Sequence, residues 1–127
     1  MNRLRQYRRV IYIQVAQDQV TVTDARTGKS VTENSEMPFS SRRLAVGHFY
    51  RAADTLKRAY LQLYPRSFSL LEPIIVIHQR YLCEEGLSLV EERVLLELSG
   101  LIKSRYRYIW QGEPLSPAQL LAGEYQS

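Results

Sequence analysis

Apolar and polar residues alternate along Val10 to Val15 and again along Gln19 to Asp24, and both runs are rich in Val, Ile, Tyr and Thr. That period-two pattern predicts two strands of a sheet, joined by the short turn Gln17-Asp18. In the second run Val20 and Val22 share one face while Thr21 and Thr23 share the other, as in a sheet with one face buried. Thr27-Gly28 suits a tight turn, with Gly28 free to take positive φ, and leads into a short strand near Ser30 to Thr32.

Residues 33 to 41 form a polar loop in which Ser40 or Ser41 is placed to cap the next element. From Leu44 to Leu63 the period changes. Phe49, Ala52, Ala53, Leu56, Ala59, Tyr60 and Leu63 recur at three- and four-residue spacing, which predicts an amphipathic helix ended by Pro65. The unbroken apolar run Ile74 to Ile77 predicts a strand covered on both faces. Ser88 and Glu91 have the spacing of a capping box, followed by the stripe Val90, Val94, Leu95, Leu98, Leu101 and Ile102, with Leu87 ahead of it. Tyr106 to Trp110 reads as a last strand, and Ser116-Pro117 opens a short helix. The order is β-β-β-α-β-α-β-α, with no internal repeat, in one domain spanning residues 10–123. Residues 1–9 are expected to be a basic arm and 124–127 a tail.

Charge changes this picture only locally. The chain has 17 Lys and Arg against 13 Asp and Glu, and the excess of four equals the four arginines of the first nine residues, Arg3, Arg5, Arg8 and Arg9. The basicity therefore belongs to the N-terminus rather than to the whole domain. The single cysteine, Cys83, rules out an intramolecular disulfide framework and fits a reducing compartment. The apolar run after the basic N-terminus is short and alternating, which reads as a strand rather than a signal peptide. No stretch approaches the roughly 18 to 20 apolar residues that span a bilayer. The expectation is a cytoplasmic protein.

Several segments resemble known families. The β-β-β-α-β-α-β-α order is similar to the ribonuclease H-like arrangement of actin, the sugar kinases and the heat-shock ATPases. The segment 86–99 resembles the bacterial rod-shape actin MreB through Ser88, Val90, Glu91 and Arg93, as does the later turn Glu113-Pro114. Across residues 7–122 the chain resembles a small bacterial family, the YjaA-like stress-response proteins. The matches are Tyr12-Ile13-Gln14, Gln62-Leu63-Tyr64-Pro65-Arg66-Ser67 and Gly86 to Arg93. These resemblances imply an α/β ribonuclease H-like half-domain of the actin-like type, with a mixed five-stranded sheet.

Such an ATPase holds a metal and a phosphate through an Asp-x-Gly-Thr run at the first hairpin. Aligned to it, this chain has Gln14 for the Asp, Ala16 for the Gly and Gln17 for the Thr. Gln supplies no carboxylate to magnesium, and a Cβ at residue 16 hinders close phosphate approach. Asp18 reads as a polar turn residue. Asp24 and Asp54 lie away from the positions that a two-metal nuclease would use. His48 and His78 are 30 residues apart with no ligand spacing between them, and Cys83 sits beside Glu84 and Glu85, which disfavours a thiolate.

The expectation is a non-enzyme without a bound cofactor or metal, working through a protein partner: a second copy, as in a homodimer, or an actin-like protein. A stress-response role follows only from the resemblance. The alternative is a nucleic-acid or anionic-surface binder. It would use the arm Arg3, Arg5, Arg8 and Arg9 together with Arg105 and Arg107, on a strand whose other face carries Tyr106, Tyr108 and Trp110.

Overall fold

A computed structural model describes residues 7–66 and 71–126. The strands are β1 (Val10–Ala16), β2 (Gln19–Asp24), β3 (Ser30–Asn34), β4 (Ile74–Gln79) and β5 (Tyr106–Trp110). The helices are α1 (Phe49–Leu63), α2 (Leu89–Ser99) and α3 (Pro117–Leu121), followed by a 3-10 turn at Glu124–Gln126. The five strands form one mixed sheet in the order β3-β2-β1-β4-β5. β1 runs antiparallel to β2 and parallel to β4, and β4 runs parallel to β5.

Alternation along the strands divides the side chains between two cores. Ile11, Ile13, Val15, Val20, Val22, Ile75 and Ile77 face α1 and α2 and pack with Leu56, Leu95 and Leu98. The opposite face is covered more thinly. There Val10, Tyr12, Ile74 and Val76 meet Leu115, Leu120 and Tyr125, with Tyr106, Tyr108 and Trp110 half-buried beside them. β4 is buried at all six positions, the apolar run Ile74 to Ile77 and the polar His78 and Gln79 that follow it. On the thinly covered face, β2 and β3 pair side chain to side chain: Gln19 with Asn34 at 3.1 Å, Thr21 with Thr32 at 2.8 Å and Thr23 with Ser30 at 2.5 Å.

Two expectations need correction. α1 begins at Phe49 rather than near Leu44, and neither Ser40 nor Ser41 caps it. Ser41 Oγ instead accepts the Leu44 amide at 3.0 Å, and Ser40 Oγ accepts the Asp18 amide at 3.0 Å and donates to the Ala45 carbonyl at 2.7 Å. The helix N-cap is His48, whose side chain makes no capping bond. Val90 is not on the buried stripe of α2, being 66% exposed in the first turn of that helix. Within the expected tail, residues 124–126 form a 3-10 turn in which Tyr125 is buried, its ring 5.0 Å from that of Tyr108. Both capping boxes form: Ser88 with Glu91, and Ser116 with Gln119 behind Pro117.

Candidate functional site

In an open sheet with parallel strands, ligand chemistry gathers beyond the carboxyl ends of those strands. Here that edge carries Gln14 from β1, His78 and Gln79 from β4, Arg80 just after it, and Trp110 from β5. Gln14 and His78 are register partners, as are His78 and Trp110. Arg80 Nη1 donates to Gln14 Oε1 at 2.7 Å, so the Gln14 carbonyl is already engaged by a cation.

Behind Arg80 lies a buried polar pair. The Tyr12 hydroxyl, on a residue 1% exposed, lies 2.5 Å from Nδ1 of His78, on a residue 2% exposed. The same oxygen accepts the Leu115 amide at 3.3 Å. A phenol oxygen that accepts one N–H can still donate its own proton or accept a second, so the tautomer of the imidazole sets which member of the pair donates to the other. The ring also has a hydrogen bond with the Gly112 backbone. Burial lowers the His78 pKa to about 4, helped by the Arg80 charge and opposed by the Gly112 bond. Burial likewise raises the Tyr12 pKa, against the Leu115 amide and Arg80. The pair is therefore neutral near pH 7, with its polar atoms engaged. Its arrangement is a clasp between the sheet and the 112–115 segment.

Gln79 faces the other core and is equally committed. Its Nε2 donates to the Tyr81 carbonyl at 3.0 Å, the Leu82 carbonyl at 3.3 Å and Glu91 Oε2 at 3.0 Å. Burial pushes the Glu91 carboxyl up, but bonds from the Ser88 backbone, Gln79 and the Ser88 hydroxyl outweigh it and hold the pKa below its ordinary value. The β4 end and the α2 N-terminus thus close on each other, with a small cleft between them lined by Leu44, Val46, Val90 and Val94.

Asp18 is a staple of the loop. It takes φ 53°, a left-handed conformation that Asp tolerates better than most residues. Its Oδ1 accepts the Phe39 amide at 2.9 Å and the Ser40 amide at 2.7 Å. Asp24 is buried and accepts the amides of Arg26 at 2.9 Å and Thr27 at 3.2 Å, while Tyr64 donates its hydroxyl at 2.6 Å. Asp54 is exposed and pairs with Arg58 at 3.3 Å. No three His, Cys, Asp or Glu residues among those described are grouped to hold a metal ion. Cys83 is a free, half-buried thiol, and His48 is exposed at the start of α1.

The surface residues singled out from the sequence separate into distinct places. Arg3 and Arg5 lie outside the described residues. Arg8 is not on an exposed arm: it is buried, and its Nη1 donates to the Glu72 carbonyl at 2.8 Å. The Arg9 guanidinium lies 4.8 Å from the centre of the Tyr64 ring. Arg105 stacks over Tyr106 at 5.1 Å, whereas Arg107 turns to the C-terminal turn of α2 and donates to the Leu96 carbonyl at 3.3 Å. Tyr106, Tyr108 and Trp110 share the thinly covered face, where Trp110 Nε1 donates to the Glu113 carbonyl at 2.7 Å. Sequence reading missed the Tyr12–His78 clasp, since 66 residues separate its members and only the register of β1 on β4 joins them.

The fold and the strand ends together define an α/β protein with an open, mixed five-stranded sheet and three helices, whose strand-end side chains bind one another. No helix among the described residues is long and apolar enough to cross a membrane. No family model matches the chain. It is 38% identical over 104 residues to the Escherichia coli (strain K12) "Uncharacterized protein YjaA", which covers 77% of this chain and 80% of that protein. The chain belongs to the YjaA family.

Proposed function

We propose that this protein is a ribonuclease H-like half-domain of the actin-like type that works without catalysis, as a protein-interaction module of the bacterial cytoplasm. The strand order β3-β2-β1-β4-β5, with β2 the antiparallel member beside β1, supports the ribonuclease H-like part of this reading. The actin-like part draws on the segments around Ser88 to Arg93 and Glu113-Pro114. A stress role would come with the family resemblance.

The observation that carries the non-catalytic reading is the Arg80–Gln14 contact at 2.7 Å. An actin-like ATPase needs a carboxylate at this point to manage a divalent ion. A neutral amide engaged by a guanidinium offers no charge to such an ion, and the guanidinium repels it. Ala16 brings a Cβ where phosphate would approach the backbone, and Asp18 is already committed to the Phe39 and Ser40 amides. A surface whose polar groups are bound internally is suited to holding a shape for another protein.

The partner in this reading is a second copy or an actin-like protein that completes the missing half. Sedimentation of the full chain from micromolar to hundreds of micromolar, alone and mixed with a bacterial actin-like protein, tests it. Reversible dimerisation or co-sedimentation is expected. A monomer at every concentration that ignores the actin-like protein would overturn this choice of partner.

A further inference from the structure

The N-terminal edge of the parallel strands, opposite the strand ends described above, brings together basic residues that are far apart in sequence. Backbone bonds stitch this edge in sheet order. The Ala25 amide donates to the Val10 carbonyl at 3.0 Å, the Ile74 amide to Arg9 at 2.8 Å, and the Arg105 amide to Pro73 at 2.9 Å. The turn holding Arg26 and Lys29, the entry to β1 holding Arg9, and the approach to β5 holding Lys103 and Arg105 therefore lie side by side. Arg26 Nη2 reaches the Arg8 carbonyl at 3.4 Å, and Arg8 anchors the row from beneath through Glu72.

Asp24 and Glu72 lie at this edge. The Asp24 carboxylate is buried and bound by Tyr64 and two amides. Glu72 faces Lys103 at 3.7 Å, and the lysine side chain is 87% exposed. Arg26, Lys29, Lys103 and Arg105 are all exposed.

We propose that this edge is a binding surface for single-stranded nucleic acid. It goes beyond the reading above and does not depend on it. A row of exposed cations meets the repeating phosphates of a polynucleotide, releasing counterions on contact. Two of the guanidinium groups are backed by aromatic rings, Arg9 by Tyr64 and Arg105 by Tyr106, and Tyr7, two residues before Arg9, is exposed. Guanidinium planes and tyrosine rings are the platforms on which unpaired bases stack. A membrane surface fits less well, because binding there joins cations to aliphatic side chains that insert. Among the described residues the most exposed aliphatic side chains, Leu89 and Val90, are instead at the N-terminus of α2, at the other end of the sheet.

The test is fluorescence anisotropy of the full chain with labelled 20-mers of oligo(dT) and oligo(U). A parallel assay follows co-sedimentation with phosphatidylglycerol vesicles. Binding at 50 mM salt should weaken about tenfold or more at 200 mM, as three or more neutralised phosphates require. The double substitution Arg26→Glu with Arg105→Glu should weaken binding at 50 mM by about tenfold or more. Lys29→Glu with Lys103→Glu should do the same, two exposed lysines whose change leaves the Arg8 contact alone. Arg42→Glu with Arg43→Glu, exposed in the loop beside Ser41, changes net charge equally and should leave affinity within about twofold. Circular dichroism establishes that each variant is folded. The proposal is overturned by no oligonucleotide binding at 50 mM salt, by equal losses in the control pair, or by binding to the vesicles without binding to the oligonucleotides.

Discussion

Acid should weaken this protein, with His78 carrying a large share of the loss. His78 is 2% exposed and held neutral between Tyr12 and Gly112, with Arg80 nearby, and its pKa falls to about 4 from the ordinary 6.5. In the unfolded chain the ring takes up a proton near pH 6.5, while in the folded chain it resists until about pH 4. The unfolded state therefore binds more protons throughout that window, and stability falls as pH is lowered through it. That difference in pKa corresponds to about 3 kcal/mol, a little under half of which is lost by pH 5.5. Against a typical stability of about 5–15 kcal/mol this is a large fraction.

The assay is urea unfolding followed by the single tryptophan, Trp110, the register partner of His78 on β5. It is run at pH 7.5, 5.5 and 4 on the natural chain and on His78→Gln. Glutamine keeps an acceptor for the Tyr12 hydroxyl but does not titrate. The variant has its own packing cost at pH 7.5, so the diagnostic quantity is how the difference between the two proteins changes with pH. It should shift in favour of the variant by about 3 kcal/mol between pH 7.5 and 4. Parallel pH profiles for the two proteins would refute the reasoning.

Other perturbations follow from the same contacts. Tyr12→Phe removes one oxygen but strands two groups, the Leu115 amide and His78 Nδ1; a loss of about 1–3 kcal/mol in urea unfolding is expected, with faster amide exchange at Leu115. Asp18→Ala deprives the Phe39 and Ser40 amides of their acceptor and puts a Cβ without compensating bonds at φ 53°. It should cost about 1–3 kcal/mol, and Asp18→Asn, which keeps an acceptor oxygen, should cost less. Ser88→Ala breaks the α2 capping box and should cost about 0.5–2 kcal/mol by thermal or urea unfolding. It also removes hydrogen bonding that keeps the Glu91 carboxyl acidic, so the Glu91 pKa should rise when followed by NMR.

Local signals in the sequence were legible where local chemistry decides the outcome. The alternation of Gln19 to Asp24, the Ser88 and Ser116 caps and the aromatic strand Tyr106 to Trp110 all sit where their patterns predict. The start of α1 was not, because Ser40 and Ser41 are good caps that tertiary contacts recruit elsewhere: Asp18 takes one and Leu44 the other. Val90 fits the helical period, yet the first turn of α2 leaves it open to solvent. Long-range pairs left no trace at all. Tyr12 and His78 become a unit only through strand register, and Arg105 joins Arg9 and Arg26 only because β1 and β5 begin where β2 ends. Charge composition pointed to an N-terminal arm, whereas Arg8 is part of the folded edge.

On the proposed function, the first hairpin keeps the shape of a nucleotide-binding element without its chemistry. The most direct test of that reading is a titration of the full chain with Mg-ATP to millimolar concentration, following the backbone amide signals of residues 14–18. With Gln14 bound to Arg80 and Asp18 bound to the Phe39 and Ser40 amides, those signals should stay in place. Saturable shifts of these five amides would show that the hairpin still grips phosphate, and would contradict the account.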